Sequence, residues 1–374
     1  MASNSNIEWC DATWNPVVGC SHISPGCDHC YAARMAHRLG KNPATPQYAG
    51  LTGPDGKWLG KARFVQKALD MPLTWRNPKR IFVVSMGDLF HPSVYFAWVD
   101  QVFARMILAP QHTYMLLTKR PDRMRQYLES VTPADLVAAS HGAPCRPVPL
   151  PGFPLPNVIL MATVENQPAA DERMPHLMAL AGMGWHTGVS VEPMLGEVLM
   201  RRIDKPAGGG HVSGYDYLAG VEFWPHHCDR GKPRLSWVVA GGETGPDARP
   251  AHPDWFRSLR DQCADAGTPF FFKGWGEHLP VVRISDWDWR GHKGLKHYLP
   301  PDLASLPCGR LKWEVVEEDG SVLGSFKLDD HPNAYNMFRV GKARAGRVLD
   351  GKEWNEFPEA RPLTCSGLFG PSET

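Results

Sequence analysis

The sequence predicts an α/β protein: a partial (β/α) TIM-like barrel with loop insertions, followed by a C-terminal α+β extension. Three observations carry this. Short β-branched or apolar runs recur along residues 81–272, each run ends in polar residues, and segments of helical character separate them. So many polar strand ends in succession favour a barrel, in which functional side chains gather at the carboxyl ends of the strands. A doubly wound open sheet is the structural alternative, and it too binds ligands beyond those ends.

The first strand-like stretch precedes a Gly- and Pro-containing loop, GCSHISPGCDHCYA, which carries Cys20, Cys27 and Cys30 and leads into the helix-like AARMAHRLG. Residues 81–85 (IFVVS) end in Met86, Gly87 and Asp88, and VYFAWVDQVFARMILA then repeats apolar residues at three- and four-residue spacing. Residues 113–118 (TYMLLT) end in Lys119 and Arg120, after which Pro121 and Asp122 suit a first helical turn. Residues 157–163 lead to Glu165 and Asn166, and 185–191 to Glu192 and Pro193. Residues 236–240 lead to Gly241, Gly242, Glu243 and Thr244, and 268–272 to Lys273, Gly274 and Trp275.

The barrel is thus assigned to residues 1–275, with insertions at about 141–156 and 201–234, and the extension to residues 276–374. The first insertion is Pro-rich (HGAPCRPVPLPGFPLP), while the second carries Gly208, Gly209 and Gly210 and then HHCDRGKPR. Both read as loops or lids.

With 374 residues, 43% of them hydrophobic and 21% charged, the chain is long enough for one large core. A formal net charge of +1 excludes the overall basic bias of many nucleic-acid binders, although a local basic strip stays open. The start, MASNSNIEWCDATWN, lacks the basic and apolar regions of a signal peptide, and no apolar run is long enough to span a bilayer. A cytoplasmic protein is expected. In a reducing compartment nine cysteines, an odd number, read as thiols or metal ligands and not as a disulfide framework.

Cys20, Cys27 and Cys30 supply three thiolates, an incomplete metal site on one loop at the start of a helix, whose N-terminus favours nearby negative charge. Soft thiolates select zinc or iron–sulfur clusters over hard cations. One reading is a zinc knuckle completed by His22, His29 or Asp28; the other is a cluster with one iron left open. Lys273 and Glu243 are the candidate catalytic residues. Lys273, emerging after three phenylalanines, suits proton transfer or an ion pair with a strand-end carboxylate, and Glu243 suits a substrate contact or a tight turn.

Trp14, Asn15 and Pro16 with GCSHISPGCDHCYA are followed in order by SMGDLFHP, LLTKRPDRM, TVENQ, SVEPMLG, AGGETGPDARPAHPDW and FFKGWGE. This series, over about residues 7–277, resembles a phage-associated family of uncharacterised radical-SAM-like proteins. The loop is similar to the three-cysteine loop of radical S-adenosylmethionine (SAM) enzymes, with a first interval of six residues where their commonest pattern has three.

That resemblance implies a 4Fe–4S cluster with three irons on Cys20, Cys27 and Cys30 and the fourth chelated by SAM. An electron from an external donor would cleave SAM to a 5′-deoxyadenosyl radical that abstracts hydrogen from a substrate, the protein supplying position and electrostatics. His29 would lie near the adenine; Asp88 would accept from the SAM amino group, with Ser85 and Gly87 also in the cofactor site; Lys119, with Arg120, would neutralise its carboxylate. Glu165 and Glu192 would accept from ribose hydroxyls. The substrate is unknown, and the phage association points to a nucleotide or nucleic-acid base undergoing modification or repair. The contrasting function is a non-enzymatic zinc module that binds nucleic acid or a protein partner.

Overall fold

The computed structural model describes residues 5–143, 153–204, 213–224, 227–283, 312–323 and 331–359. Most of the Pro-rich insertion, the run Gly208, Gly209 and Gly210, and much of the expected extension lie outside the described residues.

Seven strands form one sheet: β1 (Ala12–Trp14), β2 (Arg80–Val83), β3 (Thr113–Thr118), β4 (Val158–Thr163), β5 (His186–Val191), β6 (Trp237–Gly241) and β7 (Phe270–Gly274). Their order in space is their order along the chain, and every neighbouring pair is parallel. No reversal creates a topological switch point, so the doubly wound alternative is set aside. Parallel crossovers share one hand, so a sequential order puts the connecting helices on one face and curls the sheet into a half-barrel.

The helices of eight residues or more among the described residues are α1 (Tyr31–Gly40), α2 (Phe96–Leu108), α3 (Pro121–Ser130), α4 (Pro133–Ser140), α5 (Gln167–Gly182) and α6 (Pro253–Ala266); Gln66–Leu69 and Lys342–Ala345 form single turns. Local chemistry starts and stops them. Asn166 caps α5 by accepting from the Ala169 amide at 3.1 Å, and Gly267, in the left-handed region at φ 64°, ends α6. Pro121 opens α3 and holds Arg120 out of the helical region (φ −126°, ψ 60°), which leaves Arg120 at the strand end.

Strand side chains alternate between two apolar layers. Ile81, Val83, Tyr114, Leu116, Val158, Leu160, Val238, Ala240, Phe270 and Phe272 pack outward with the helices. Phe82, Met115, Ile159, Met161, Trp237, Val239 and Phe271 fill the concave side with Trp9 and Cys10. Each such burial contributes about 1.5–3 kcal/mol. The concave layer forms the floor beneath the strand ends.

Among the described residues no helix stands between β5 and β6. A four-stranded antiparallel sheet stands there, built from Arg201–Asp204, Ser213–Asp216, Val221–Trp224 and His227–Arg230. This corrects the expectation of loops or lids across 201–234. The strands are four residues each and Arg201–Asp204 is exposed throughout, so short length and the lack of a buried face hide them in the sequence.

After β7 the described chain adds a second antiparallel sheet, in which His278–Arg283 pairs with Tyr335–Arg339, then Lys312–Val316 and Val322–Leu323. The chain then returns to the half-barrel. The Phe272 amide donates to the Trp354 carbonyl at 2.9 Å and the Glu356 amide to the Phe270 carbonyl at 3.2 Å, so residues 354–356 cover the edge at β7. Phe357 lies 5.4 Å from Trp237 and 5.3 Å from Phe271, ring to ring, with the Arg80 guanidinium 4.3 Å over it. Phe357→Ala is expected to cost about 2–3 kcal/mol, below the full core value because the ring is half-buried. A lower urea midpoint at unchanged slope would show it.

Among the described residues no helix is long and apolar enough to cross a membrane.

Candidate functional site

The carboxyl ends of the strands and the cysteine loop line one open cavity of about 370 Å³. Ligand pockets usually hold about 300–1,000 Å³, so this one is at the lower end of the range for a single small-molecule ligand. Cys20, Cys27, Cys30, His29, Ser85, Gly87, Asp88, Lys119, Glu192, Glu243 and Lys273 all line it. Glu165 lies just behind, fully buried.

The cysteine loop is seated on the end of β2. Gly19 is at φ 97° and its amide donates to the Met86 carbonyl at 3.0 Å, while a Cβ on Gly87 would stand 2.8 Å from the Gly19 carbonyl oxygen. A 3-10 turn, Pro25–Cys27, then brings the loop round so that Cys30 forms the N-cap of α1. All three cysteines are half-buried thiols. Burial pushes the Cys20 thiol up to about 12, with nearby Asp88 adding to the rise and Arg120 opposing it.

Arg120 ties this loop to the sheet. Its guanidinium donates to Asp88 at 2.7 Å, to the Ser21 hydroxyl at 2.7 Å and to the Cys20 sulfur at 3.6 Å. Asp88 accepts in addition from the Thr118 hydroxyl at 2.7 Å and the Phe90 amide at 2.9 Å, so both its oxygens are engaged. Asp88 therefore positions Arg120. The other two second-strand residues are placed by their neighbours: the Ser85 carbonyl accepts from Tyr31 at 2.8 Å, and Gly87 packs on Gly19.

Glu165 is the electrostatic anchor behind the loop. It accepts from Lys119 at 3.1 Å, from Arg173 at 2.6 Å and from the Ser24 hydroxyl. Burial raises its carboxyl, but Lys119, Arg173 and Ser24 outweigh that and hold it at about 2. Gly26 rests directly on this pair: a Cβ there would come within 2.7 Å of Glu165 Oε1 and 2.9 Å of Lys119 Nζ. Lys119 has three N–H donors, and Glu165 is its one hydrogen-bond partner among the described residues.

On the opposite side Glu192 and Lys273 form an ion pair across β5 and β7. Glu243 is clamped by Arg249 through contacts of 2.7 and 2.8 Å and also meets His29 Nδ1 at 3.2 Å. Burial raises the Glu243 carboxyl, yet the Arg249 side chain and amide and His29 bring it below the ordinary range. Arg249 reaches on to the Pro25 carbonyl at 2.9 Å and Asp28 at 3.3 Å, which fastens the cysteine loop to the end of β6.

The sequence reading missed Ser24, Arg173 and Arg249 as individual residues, although Arg249 lies inside GPDARPAHPDW. Ser24 meets Glu165 across 141 residues and Arg249 meets Asp28 across 221, whereas Arg173 meets Glu165 only 8 residues away and Arg249 meets Glu243 only 6 away.

The residues considered as a fourth zinc ligand have other partners: His22 pairs with Asp28 at 2.7 Å, and His29 with Glu243. Among the described residues no group of three or more His, Cys, Asp or Glu side chains is gathered to hold a metal ion. A single zinc asks for sulfurs about 2.3 Å from one point, whereas a four-iron cluster ties each thiolate to a different iron. Three thiols on one cavity wall, beside two cations and under no disulfide, are soft donors whose chemistry suits zinc and an iron–sulfur cluster alike.

Residues 4–358 match a family model described as "Protein of unknown function (DUF5131)". No curated protein and no solved structure matches the chain.

Proposed function

The chain belongs to the DUF5131 family, and from its cavity we propose that it is a radical SAM enzyme working on a TIM-like partial barrel. The observation that carries this is the placing of Cys20, Cys27 and Cys30 on one wall of a cavity whose other walls are strand ends bearing Lys119, Arg120, Glu192 and Lys273. Cys20, Cys27 and Cys30 would hold three irons of a 4Fe–4S cluster, with SAM beside them. When bound, the cluster, reduced by an external donor, and SAM supply the radical that takes hydrogen from the substrate.

The chain's own residues bind, orient and shield. Lys119 offers its unused N–H donors to the SAM carboxylate, and Glu165 fixes where that amine stands. Arg120 holds Cys20 and Ser21 in place, with Asp88 behind it. Glu192 accepts from ribose hydroxyls while remaining paired with Lys273, which makes that lysine a charge partner before it is a proton donor. His29, kept in orientation by Glu243, packs near the adenine. The apolar floor of Phe82, Leu117 and Trp9 keeps water from the reacting atoms.

The test is anaerobic purification, iron and sulfide analysis, then reduction in the presence of SAM. Formation of 5′-deoxyadenosine that requires both SAM and reductant is expected. A protein with full iron and sulfide that forms none, or one holding a single zinc without sulfide, would sink the reading.

A further inference from the structure

A second cavity adjoins the first and shares Glu192, Gly242, Thr244, Lys273 and Lys342 with it. Its remaining lining is Glu8, Ala343, Arg347 and the glycines 241, 274, 276 and 346. We propose that this second cavity is a phosphate subsite, so that the substrate of the enzyme carries a phosphate ester; this deepens the reading of the first cavity as the active site and rests on it.

The charges decide the sign of the ligand. Three cations, Lys273, Lys342 and Arg347, face two carboxylates, Glu8 and Glu192. Each carboxylate already has a lysine: Glu192 pairs with Lys273, and Glu8 with Lys342 at 2.7 Å. Arg347 is the remaining charge. Its partners among the described residues are neutral, the Asn355 side-chain oxygen and the Phe272 carbonyl at 3.5 Å, both taken by Nη2. The guanidinium lies 5.0 Å over the Phe271 ring, so its plane is held before any ligand arrives. Nη1 keeps both N–H donors without a partner among the described residues, and a rigid guanidinium fork suits phosphate oxygens.

The site is built into the barrel mouth by close backbone approach. Gly274 is at φ 137°, and a Cβ there would stand 2.7 Å from the Gly346 carbonyl oxygen. The same carbonyl accepts from the Trp275 amide at 3.2 Å. The helical turn Lys342–Ala345 and the residues after it that carry Arg347 are therefore locked against the end of β7, one residue from Lys273. A molecule lying over the floor of the first cavity reaches these cations without leaving the protein.

Calorimetric titration of the full-length protein tests this, with inorganic phosphate, nucleosides, the matching nucleoside 5′-phosphates and a short single-stranded DNA as probes. Phosphorylated probes are expected to bind at least about tenfold tighter than the nucleosides, less so as salt is raised. Arg347→Gln is expected to remove about tenfold of that preference and Lys342→Gln, on an exposed side chain, about threefold. Tighter binding of the DNA assigns the phosphate to a strand, and tighter binding of a mononucleotide assigns it to a free nucleotide. Equal binding of phosphorylated and unphosphorylated probes overturns the proposal, as does a preference unchanged in Lys342→Gln and in a folded Arg347→Gln. No cluster is needed for binding, so failure here is separate from failure to form 5′-deoxyadenosine.

Discussion

Glu165→Ala is expected to destabilise the protein by about 3–5 kcal/mol, the cost of breaking a buried ion pair from one side. Glu165 has no exposed surface and Arg173 is 2% exposed, so water cannot replace the lost carboxylate. Arg173 would keep its bond to the Thr163 carbonyl at 2.8 Å, but its charge would stand uncompensated beside Lys119. Glu165→Gln keeps the shape and an acceptor oxygen, so its loss should be smaller. Urea unfolding of the two variants separates these outcomes; a Glu165→Ala midpoint equal to wild type would show that the network contributes nothing.

The same carboxylate sets a pH dependence. Its folded value of about 2 lies below the ordinary 4.5, so the network's stabilisation is fully present above about pH 4.5 and is lost as pH falls toward 2. Stability of the wild type should fall across that window more steeply than that of Glu165→Gln. Because Ser24 hydrogen-bonds to Glu165 and Gly26 rests on it, the cysteine loop should loosen over the same interval.

The strands were legible because each joins an apolar run to a polar exit, and Pro121 and Asn166 announce the helices that follow. Which face each residue takes was not legible. Phe82 lies between Ile81 and Val83, and Met115 between Tyr114 and Leu116; with both faces of the sheet apolar, alternation leaves no polar mark in the sequence. The cysteine loop was visible as spacing, and Lys119, Glu192 and Lys273 as strand ends. An ion pair of Lys273 with a strand-end carboxylate was legible, but not which carboxylate, because Lys273 meets Glu192 across 81 residues; the contact of Glu243 with His29, across 214, was not, and only the strand order closes such separations. The insertion sheet stayed hidden for another reason: its strands expose polar side chains and owe their pairing to one another. The return of Asn355 to Phe271 is a backbone pairing, to which side-chain identity is nearly indifferent.

Single replacement of Cys20, Cys27 or Cys30 by Ala is expected to strip the anaerobically purified protein of iron and sulfide and to abolish SAM cleavage. Cys10→Ala and Cys263→Ala should leave both unchanged. The contrast rests on placement: the first three thiols line the cavity, whereas Cys10 is buried in the concave apolar layer and Cys263 in the layer beneath α6. Arg120→Gln grades the effect. Residues that support metal ligands typically contribute about 10–100-fold to affinity or activity, and Arg120 touches Cys20 and Ser21 without being a ligand. Its loss should therefore fall between wild type and the cysteine variants in iron retained. A cluster requires three separate thiolates, each on its own iron, so the three cysteine variants should fail alike. If one of them retained full iron and activity, that thiol would be structural and the three-cysteine assignment would fall; if zinc replaced iron in wild type and vanished in all three, the loop would be a binding module.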